Sequence, residues 1–126
     1  MAPPDGAVFD ANPTIGGTMP KYLVTARYSA QGAQGVIKGG GGTARVEAVR
    51  QLVESVGGTV ESLYFAFGGT DVYITLDAPD NAAVAAVAMT VGASGALSAI
   101  ETIVLLTPQE VDEAARRSVN YRAPGS

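Results

Sequence analysis

The spacing of apolar residues changes several times along the chain, and the order of these changes is what most limits the fold. Apolar residues at alternate positions are typical of strands, whereas apolar residues three and four positions apart are typical of helices. Strand-like segments lie at residues 21–28, 59–67, 71–78 and 97–106. Helix-like segments separate the first from the second and the third from the fourth. This order, β-α-β-β-α-β, predicts an α+β sandwich of the ferredoxin-like, or split βαβ, type, with a further helix after the last strand.

The helices are predicted from their caps as well as from their period. With Thr43 as its expected N-cap, the first carries five apolar residues at helical spacing. They are Val46, Val49, Leu52, Val53 and Val56. Asp80 is the expected N-cap of the second helix, and Thr107 and Glu110 have the spacing of a capping box at the C-terminal helix. The stretch SAQGAQGVIKGGGG is predicted to be a glycine-rich loop with at most one irregular turn.

The length of 126 residues suits a single domain. We predict a compact domain over residues 19–118, a Pro- and Gly-rich extension over residues 1–18 and a tail over residues 119–126. The extension has too few apolar residues to build a core alone. It is therefore predicted either to pack against a neighbouring subunit or another protein, or to be an artefact of the start site.

Composition argues against several classes of function. The sequence has no cysteine and no histidine, so thiol nucleophiles, imidazole bases, disulfides and the usual zinc ligands are absent. The net charge is -4, and the eight Lys and Arg residues are spread along the chain, which disfavours a nucleic-acid partner. No apolar run has the length of a membrane span, and the first residues lack a cationic leader. We expect a cytoplasmic protein that needs no cofactor.

Alternation also assigns the strand residues to the two faces of the predicted sheet. One face is expected to lie under the helices and to carry an apolar set: Val24, Ala26, Leu63, Phe65, Phe67, Val72, Ile74 and Leu76. The other face is expected to carry a mixed set: Leu23, Thr25, Arg27, Tyr64, Tyr73, Thr102 and Val104. The mixed composition is typical of a protein interface or of a cavity with a few polar groups. An ordinary, partly exposed sheet face has the same composition.

A sheet that helices cover on one side only favours stacking of a second sheet on the other side. The second and fourth strands are the expected edges of the sheet. The segment SLYFAF in the second strand has no charge or proline to block edge pairing. We therefore predict a homo-oligomer, at least a dimer.

Four residues of the mixed face form a candidate ligand site. Arg27 presents a donor fork that suits a carboxylate or another anion. Tyr64, Tyr73 and Thr25 would supply hydroxyl groups and packing area around a phenolic or anionic small molecule. The alternative is that Arg27 pairs with an acidic residue across the subunit interface.

Gly68 and Gly69 form a predicted turn, and Asp71 follows it at the start of a strand. Asp71 is either an acid–base group or a structural residue that accepts hydrogen bonds from backbone amides of the glycine turn. The structural interpretation is favoured because the sequence has no histidine to act with this carboxylate.

Two other features have a functional and a structural interpretation. The segment KGGGG at residues 38–42 would bind a phosphate or form a flexible loop, and it lacks the spacing of a phosphate-binding P-loop. The acidic residues Glu110, Asp112 and Glu113 are expected to form a solvated helix face and not a metal site. No catalytic residue and no metal ligand is predicted.

Three stretches of the sequence resemble the GYD domain proteins of bacteria. They are MPKYLVTARYSAQG, GGTARVEAVRQLVESVGGTVESLYFAFGGTDV and LLTPQEVDEAARRSVNYRAPG, and together they span about residues 19–125. The resemblance implies a small ferredoxin-like domain, related to the dimeric α+β barrels, that tends to self-associate. The Gly-Tyr-Asp triplet that names the family matches Gly69-Thr70-Asp71, where Thr70 replaces the tyrosine.

Two hypotheses about function follow. The first is a homo-oligomeric, non-catalytic binding or interaction module whose mixed sheet face forms the subunit interface and leaves room for a small ligand. The second is a cofactor-independent enzyme, a small monooxygenase or isomerase, and it rests on analogy with other dimeric α+β barrels. An enclosed pocket with convergent polar groups would favour the enzyme.

Overall fold

The computed structural model describes residues 19–125. The predicted extension over residues 1–18 lies outside this range. The chain forms an α+β arrangement of four strands and four helices in the described range. The elements are β1 (Lys21–Tyr28), α1 (Ala30–Lys38), α2 (Gly42–Glu54), β2 (Thr59–Phe65), β3 (Val72–Asp77), α3 (Asn81–Ala93), β4 (Leu97–Leu105) and α4 (Pro108–Arg116).

The four strands form one sheet in the order β2-β3-β1-β4, and every neighbouring pair is antiparallel. The two edges are β2 and β4, as the sequence predicted. Val53 of α2 and Val84 of α3 are buried against the same face of this sheet, where they meet Val24, Ile74 and Leu76. We call this side of the sheet the helix face and the opposite side the open face.

The alternation in β3 and β1 is confirmed. Val72, Ile74 and Leu76 are 4%, 9% and 4% exposed, whereas Tyr73 between them is 42% exposed. In β1, Tyr22, Val24 and Ala26 are buried in the same core. The Tyr22 hydroxyl satisfies its polar end by donating to Asn81 Oδ1 at 2.7 Å.

The faces of β4 differ from the prediction. Thr102 lies opposite Val24 and Val104 lies opposite Tyr22, so both belong to the helix face and not to the open face. Ile103, opposite Leu23, takes the place on the open face instead. The assignment was wrong because β4 carries apolar residues on both faces, so its period alone does not distinguish them.

The strand β2 is shorter than predicted. It ends at Phe65, so Phe67 lies in the following loop, fully exposed, and not under the helices. The pairing with β3 also shifts between Val60, opposite Leu76, and Ser62, opposite Thr75. The extra residue of this bulge is Glu61.

The segment predicted as a glycine-rich loop is the nine-residue helix α1. The Ser29 hydroxyl caps this helix by accepting from the Gly32 amide at 3.0 Å. Gly32 itself is buried against the Ala96 carbonyl, where an added Cβ would lie only 1.9 Å from the oxygen. The helix was missed because its glycines lower its helix propensity, while the close approach that favours Gly32 depends on tertiary structure.

The other helix ends follow their predicted signals with one exception. Asp80 Oδ1 accepts from the Ala83 amide at 2.9 Å, and Thr107 and Glu110 form the complete capping box. The exception is α2, which begins at Gly42 after Gly41, at φ +95°, so Thr43 lies inside the helix and does not cap it. A serine, threonine or asparagine rarely adopts such a backbone angle, which explains a glycine there.

Residues after β4 extend beyond the core. Every residue of α4 is exposed, as are residues 117–125, which form neither helix nor strand. Among the described residues, no helix is both long enough and apolar enough to cross a membrane.

Candidate functional site

The open face carries the residues that the sequence proposed for ligand binding. Register places Tyr64 opposite Tyr73, Tyr73 opposite Thr25, and Thr25 opposite Glu101. These four side chains form one row across all four strands, which we call the tyrosine row. Tyr64 is 71% exposed and Tyr73 is 42% exposed. The same face carries Leu23 and Ile103 in the next row of paired residues. The row is therefore a shallow, mixed surface with two accessible phenol rings.

Arg27 lies on the open face at the end of β1. Its Nη1 donates to the Gly69 carbonyl at 3.1 Å, across to the loop between β2 and β3. Within residues 19–125 no carboxylate lies within 4 Å of its guanidinium. Part of the donor fork thus fixes the glycine turn, and the rest remains accessible beside the tyrosine row.

Asp71 joins the start of β3 to the end of β1. Its Oδ2 accepts from the Tyr28 amide at 2.9 Å, and its own amide donates to the Ala26 carbonyl at 2.9 Å. The expected acceptor role is present, but the donor is an amide of β1 and not an amide of the turn at Gly68 and Gly69. An added Cβ at either glycine would meet nothing within 4 Å, so the turn itself is loosely packed.

A charged cluster at the opposite end of the open face was not predicted. Lys21 Nζ lies 3.0 Å from Asp77 Oδ1 and 3.0 Å from Glu61 Oε1. Partial burial alone would lower the pKa of Lys21, but hydrogen bonds to the two carboxylates raise it overall. For Glu61, burial opposes the change, and the bonds from Lys21 and Thr75 lower its pKa. The signal that sequence reasoning lacked was the bulge that turns Glu61 toward Lys21.

A second candidate site lies on the helix face. A cavity of about 300 Å³ lies between the sheet and the helices and is lined in part by residues of α1, α2 and α3. Its walls are aliphatic apart from the ring of Phe65, and its half-buried polar residues are Tyr28 and Arg45. Burial raises the pKa of the Tyr28 hydroxyl, although the adjacent Arg45 guanidinium opposes that shift.

Sequence reasoning did not find Tyr28 or Arg45. Arg45 lies four positions before Val49 and eight before Val53, so it falls on the apolar stripe of α2. A cation on an apolar stripe is the signal that could have located the polar end of the cavity. The size of the cavity depends on how far the helices stand from the sheet, which the period of a sequence does not encode.

Within residues 19–125 the structure does not bring the other two predicted features, the glycine segment after Lys38 and the acidic residues of α4, together in one site. Lys38 ends α1, and the glycines after it include two with positive φ, Gly40 and Gly41. Glu110 is engaged in its capping box and Glu113 pairs with Arg117 at 2.6 Å. In the part of the chain that the structure describes, no three carboxylates, histidines or cysteines are grouped as a metal site.

Comparison with known families matches residues 22–115 to the GYD domain. The chain belongs to the GYD domain family. The match covers β1 to α4 and includes both candidate sites. No curated protein matches the sequence.

A solved structure supports the fold of this GYD domain. The crystal structure of MtbAldR is similar with a TM-score of 0.55 at 16% sequence identity. The similarity covers 93% of this chain and 65% of that chain. This chain thus spans about two thirds of the length of the structural neighbour, and the likeness concerns the fold alone.

Proposed function

We propose that this GYD domain is a cytoplasmic, non-catalytic interaction module that self-associates through its open face. The sheet would be of the ferredoxin-like type, and two copies would stack as in a dimeric α+β barrel. The observation that carries the proposal is the tyrosine row, in which Tyr64 and Tyr73 are exposed on a sheet face that no described helix covers. Exposed aromatic residues beside aliphatic ones are enriched in the cores of protein interfaces.

The charges of the open face are compatible with contact between identical copies. In the Lys21 cluster one cation pairs with the carboxylates of Asp77 and Glu61 within one copy, which leaves a single net negative charge there. Arg27 and Glu101 lie at the other end, and neither belongs to an ion pair among residues 19–125. In a two-fold interface each residue type of one copy can meet its complement on the other. Arg27 of one copy would pair with an acid of the other, and Glu101 is the nearest candidate on the face.

The second candidate function, a cofactor-independent monooxygenase or isomerase, is favoured by the cavity on the helix face. Its polar groups account for binding more readily than for proton transfer. The raised pKa of Tyr28 keeps its hydroxyl protonated at neutral pH, which makes it a hydrogen-bond donor and a poor general base. Asp71, the other acid considered, already accepts a backbone hydrogen bond.

The test is the mass of the protein in solution, measured by sedimentation equilibrium and native mass spectrometry. Wild type is expected to be a dimer or larger, and Tyr64→Arg or Tyr73→Arg should weaken the association at least about tenfold, because each change places a charge in a desolvated contact. Tyr121→Arg is the matched control, since Tyr121 is 74% exposed in the C-terminal tail and off the sheet. A monomeric wild type, or an unchanged mass in both sheet variants, would refute the proposal.

We also propose that residues 1–18 make an additional contact with a neighbouring subunit or with another protein. Deletion of this segment should weaken the assembly and leave the circular dichroism spectrum of the domain unchanged. Loss of the folded spectrum would show instead that the segment completes the core.

A further inference from the structure

The cavity on the helix face has the size and the lining of a ligand site. Its volume of about 300 Å³ lies at the lower end of the range for small-molecule pockets. It lies across the sheet from the tyrosine row, because Tyr73 points to the open face while Val72 and Ile74 line the cavity. A ligand here is thus separate from the proposed self-association, and either can fail without the other.

The walls of the cavity require an apolar ligand body. All four strands contribute aliphatic side chains, and so do α1, α2 and α3. These side chains include Val24, Leu63, Val72, Ile74, Val49 and Val91. Polar side chains outside the Tyr28 and Arg45 pair are Gln31 and Ser94, and both are exposed at the rim. Burial of apolar area against such walls contributes about 25 cal/mol for each Å² removed from water.

One end of the cavity carries a cation. The half-buried Arg45 guanidinium lies beside the Tyr28 hydroxyl, and within residues 19–125 no carboxylate lies within 4 Å of it. The nearby Asp71 carboxylate is engaged by the Tyr28 backbone amide. A guanidinium at an apolar wall gains most from a planar anion that accepts two parallel hydrogen bonds.

We propose that this cavity binds a monocarboxylate with an apolar tail, such as a medium-chain fatty acid. The carboxylate would accept hydrogen bonds from Arg45 and from the Tyr28 hydroxyl, and the tail would lie along the aliphatic walls between α2, α3 and the sheet. The single cation matches the single charge of a carboxylate. A ligand that is polar at both ends would leave one end unpaired among the aliphatic side chains.

The test compares probes that share a tail and differ in the head group. Octanoate, octanol and octylamine are titrated into methyl-labelled protein, and methyl chemical shifts are recorded by NMR. Octanoate is expected to shift the methyl groups of Val49, Leu63 and Val91 saturably, and to bind more tightly than octanol and octylamine. The methyl groups of Leu23 and Ile103 on the open face should not respond. Absence of saturable shifts with octanoate, or shifts confined to the open face, would overturn the proposal.

The variant Arg45→Met removes the charge and keeps a flexible apolar side chain. It should weaken octanoate binding by about 10- to 100-fold, the range for a lost hydrogen bond to a charged group, and leave octanol binding unchanged. The matched control is Arg50→Met on the same helix, because Arg50 is exposed and pairs with Glu47 at 2.8 Å. Equal losses for octanoate and octanol in Arg45→Met, or an equal loss in Arg50→Met, would refute the role of Arg45. The NMR spectrum of each variant also shows whether it is folded and, through line widths, whether it still associates.

Discussion

The two faces of one sheet differ in what completes them. On the helix face, Ile74 is 9% exposed and lies in a core that α2 and α3 close with Val53 and Val84. On the open face, the preceding residue of the strand, Tyr73, is 42% exposed and has the phenol ring of Tyr64 as its cross-strand neighbour. The helix face is thus completed within the chain, apart from its cavity, while the open face is not.

The difference shows that one small domain can have both an unfilled cavity under its helices and an uncovered sheet face. The cavity on the helix face is a volume with a cation at one end, and such a volume suits a small molecule. The open face is a shallow surface with two exposed rings, and such a surface suits another protein surface. If both proposals hold, adjacent residues of β3 serve two different contacts, and changes to single residues can separate them.

The largest effect is expected from truncating the two neighbours in β3. Ile74→Ala should lower the free energy of unfolding by about 2–5 kcal/mol, because it removes buried methyl groups and enlarges the cavity. Tyr73→Ala should lower it by less than about 1 kcal/mol in the isolated subunit, since the ring is partly exposed. Urea denaturation of both variants, at concentrations where the protein is monomeric, measures the contrast. Similar losses for the two would show that the open face is part of the core.

A smaller effect is expected from the two central glycines of α1, which forms one wall of the cavity. Gly32→Ala should destabilise the protein by about 1–3 kcal/mol, because the added Cβ would overlap the Ala96 carbonyl and displace the helix. Gly35 also lines the cavity, but a Cβ there meets nothing within 4 Å. Gly35→Ala should therefore stabilise the protein by up to about 1 kcal/mol through helix propensity. Thermal unfolding of the pair provides the measurement, and a loss of stability in Gly35→Ala would contradict the position of α1.

The smallest effect concerns the Lys21 cluster on the open face. The pKa of Glu61 is lower in the folded protein than its usual value, so its ionised form stabilises the fold. This stabilisation is present above the usual pKa of glutamate and is lost as the pH falls through the lowered pKa. Because Lys21 and Glu61 are substantially exposed, Lys21→Met should cost no more than about 1 kcal/mol at neutral pH.

The control for that prediction is the same comparison repeated at acidic pH. The difference in unfolding free energy between wild type and Lys21→Met should shrink as the pH falls through the lowered pKa of Glu61, because wild type then loses the ion pair between Lys21 and Glu61 that the variant already lacks. A difference that stays constant from neutral to acidic pH would assign the effect to packing of the lysine stem.

Local signals determined most of the secondary structure, and tertiary distances determined most of the candidate sites. The capping box at Thr107 and the alternation around Ile74 were predictable because each depends on residues a few positions apart. The helix α1 was not, because its Gly32 is favoured by a carbonyl 64 positions away in sequence, that of Ala96. The pairing of Tyr28 with Arg45 at the cavity depends on how far the helices stand from the sheet. Sequence period indicates which side of a helix turns inward, but not the space left beneath it.

The bulge at Glu61 bears on whether the edge of the sheet can aggregate. Regular edge strands offer an unbroken row of amides and carbonyls that an incoming chain can extend into fibrils. In β2 the register shift interrupts that row and places a carboxylate at the interruption. Edge-to-edge growth is thereby disfavoured at β2, while the flat of the sheet remains accessible. The proposed self-association through the open face would therefore carry a reduced risk of open-ended aggregation along this edge.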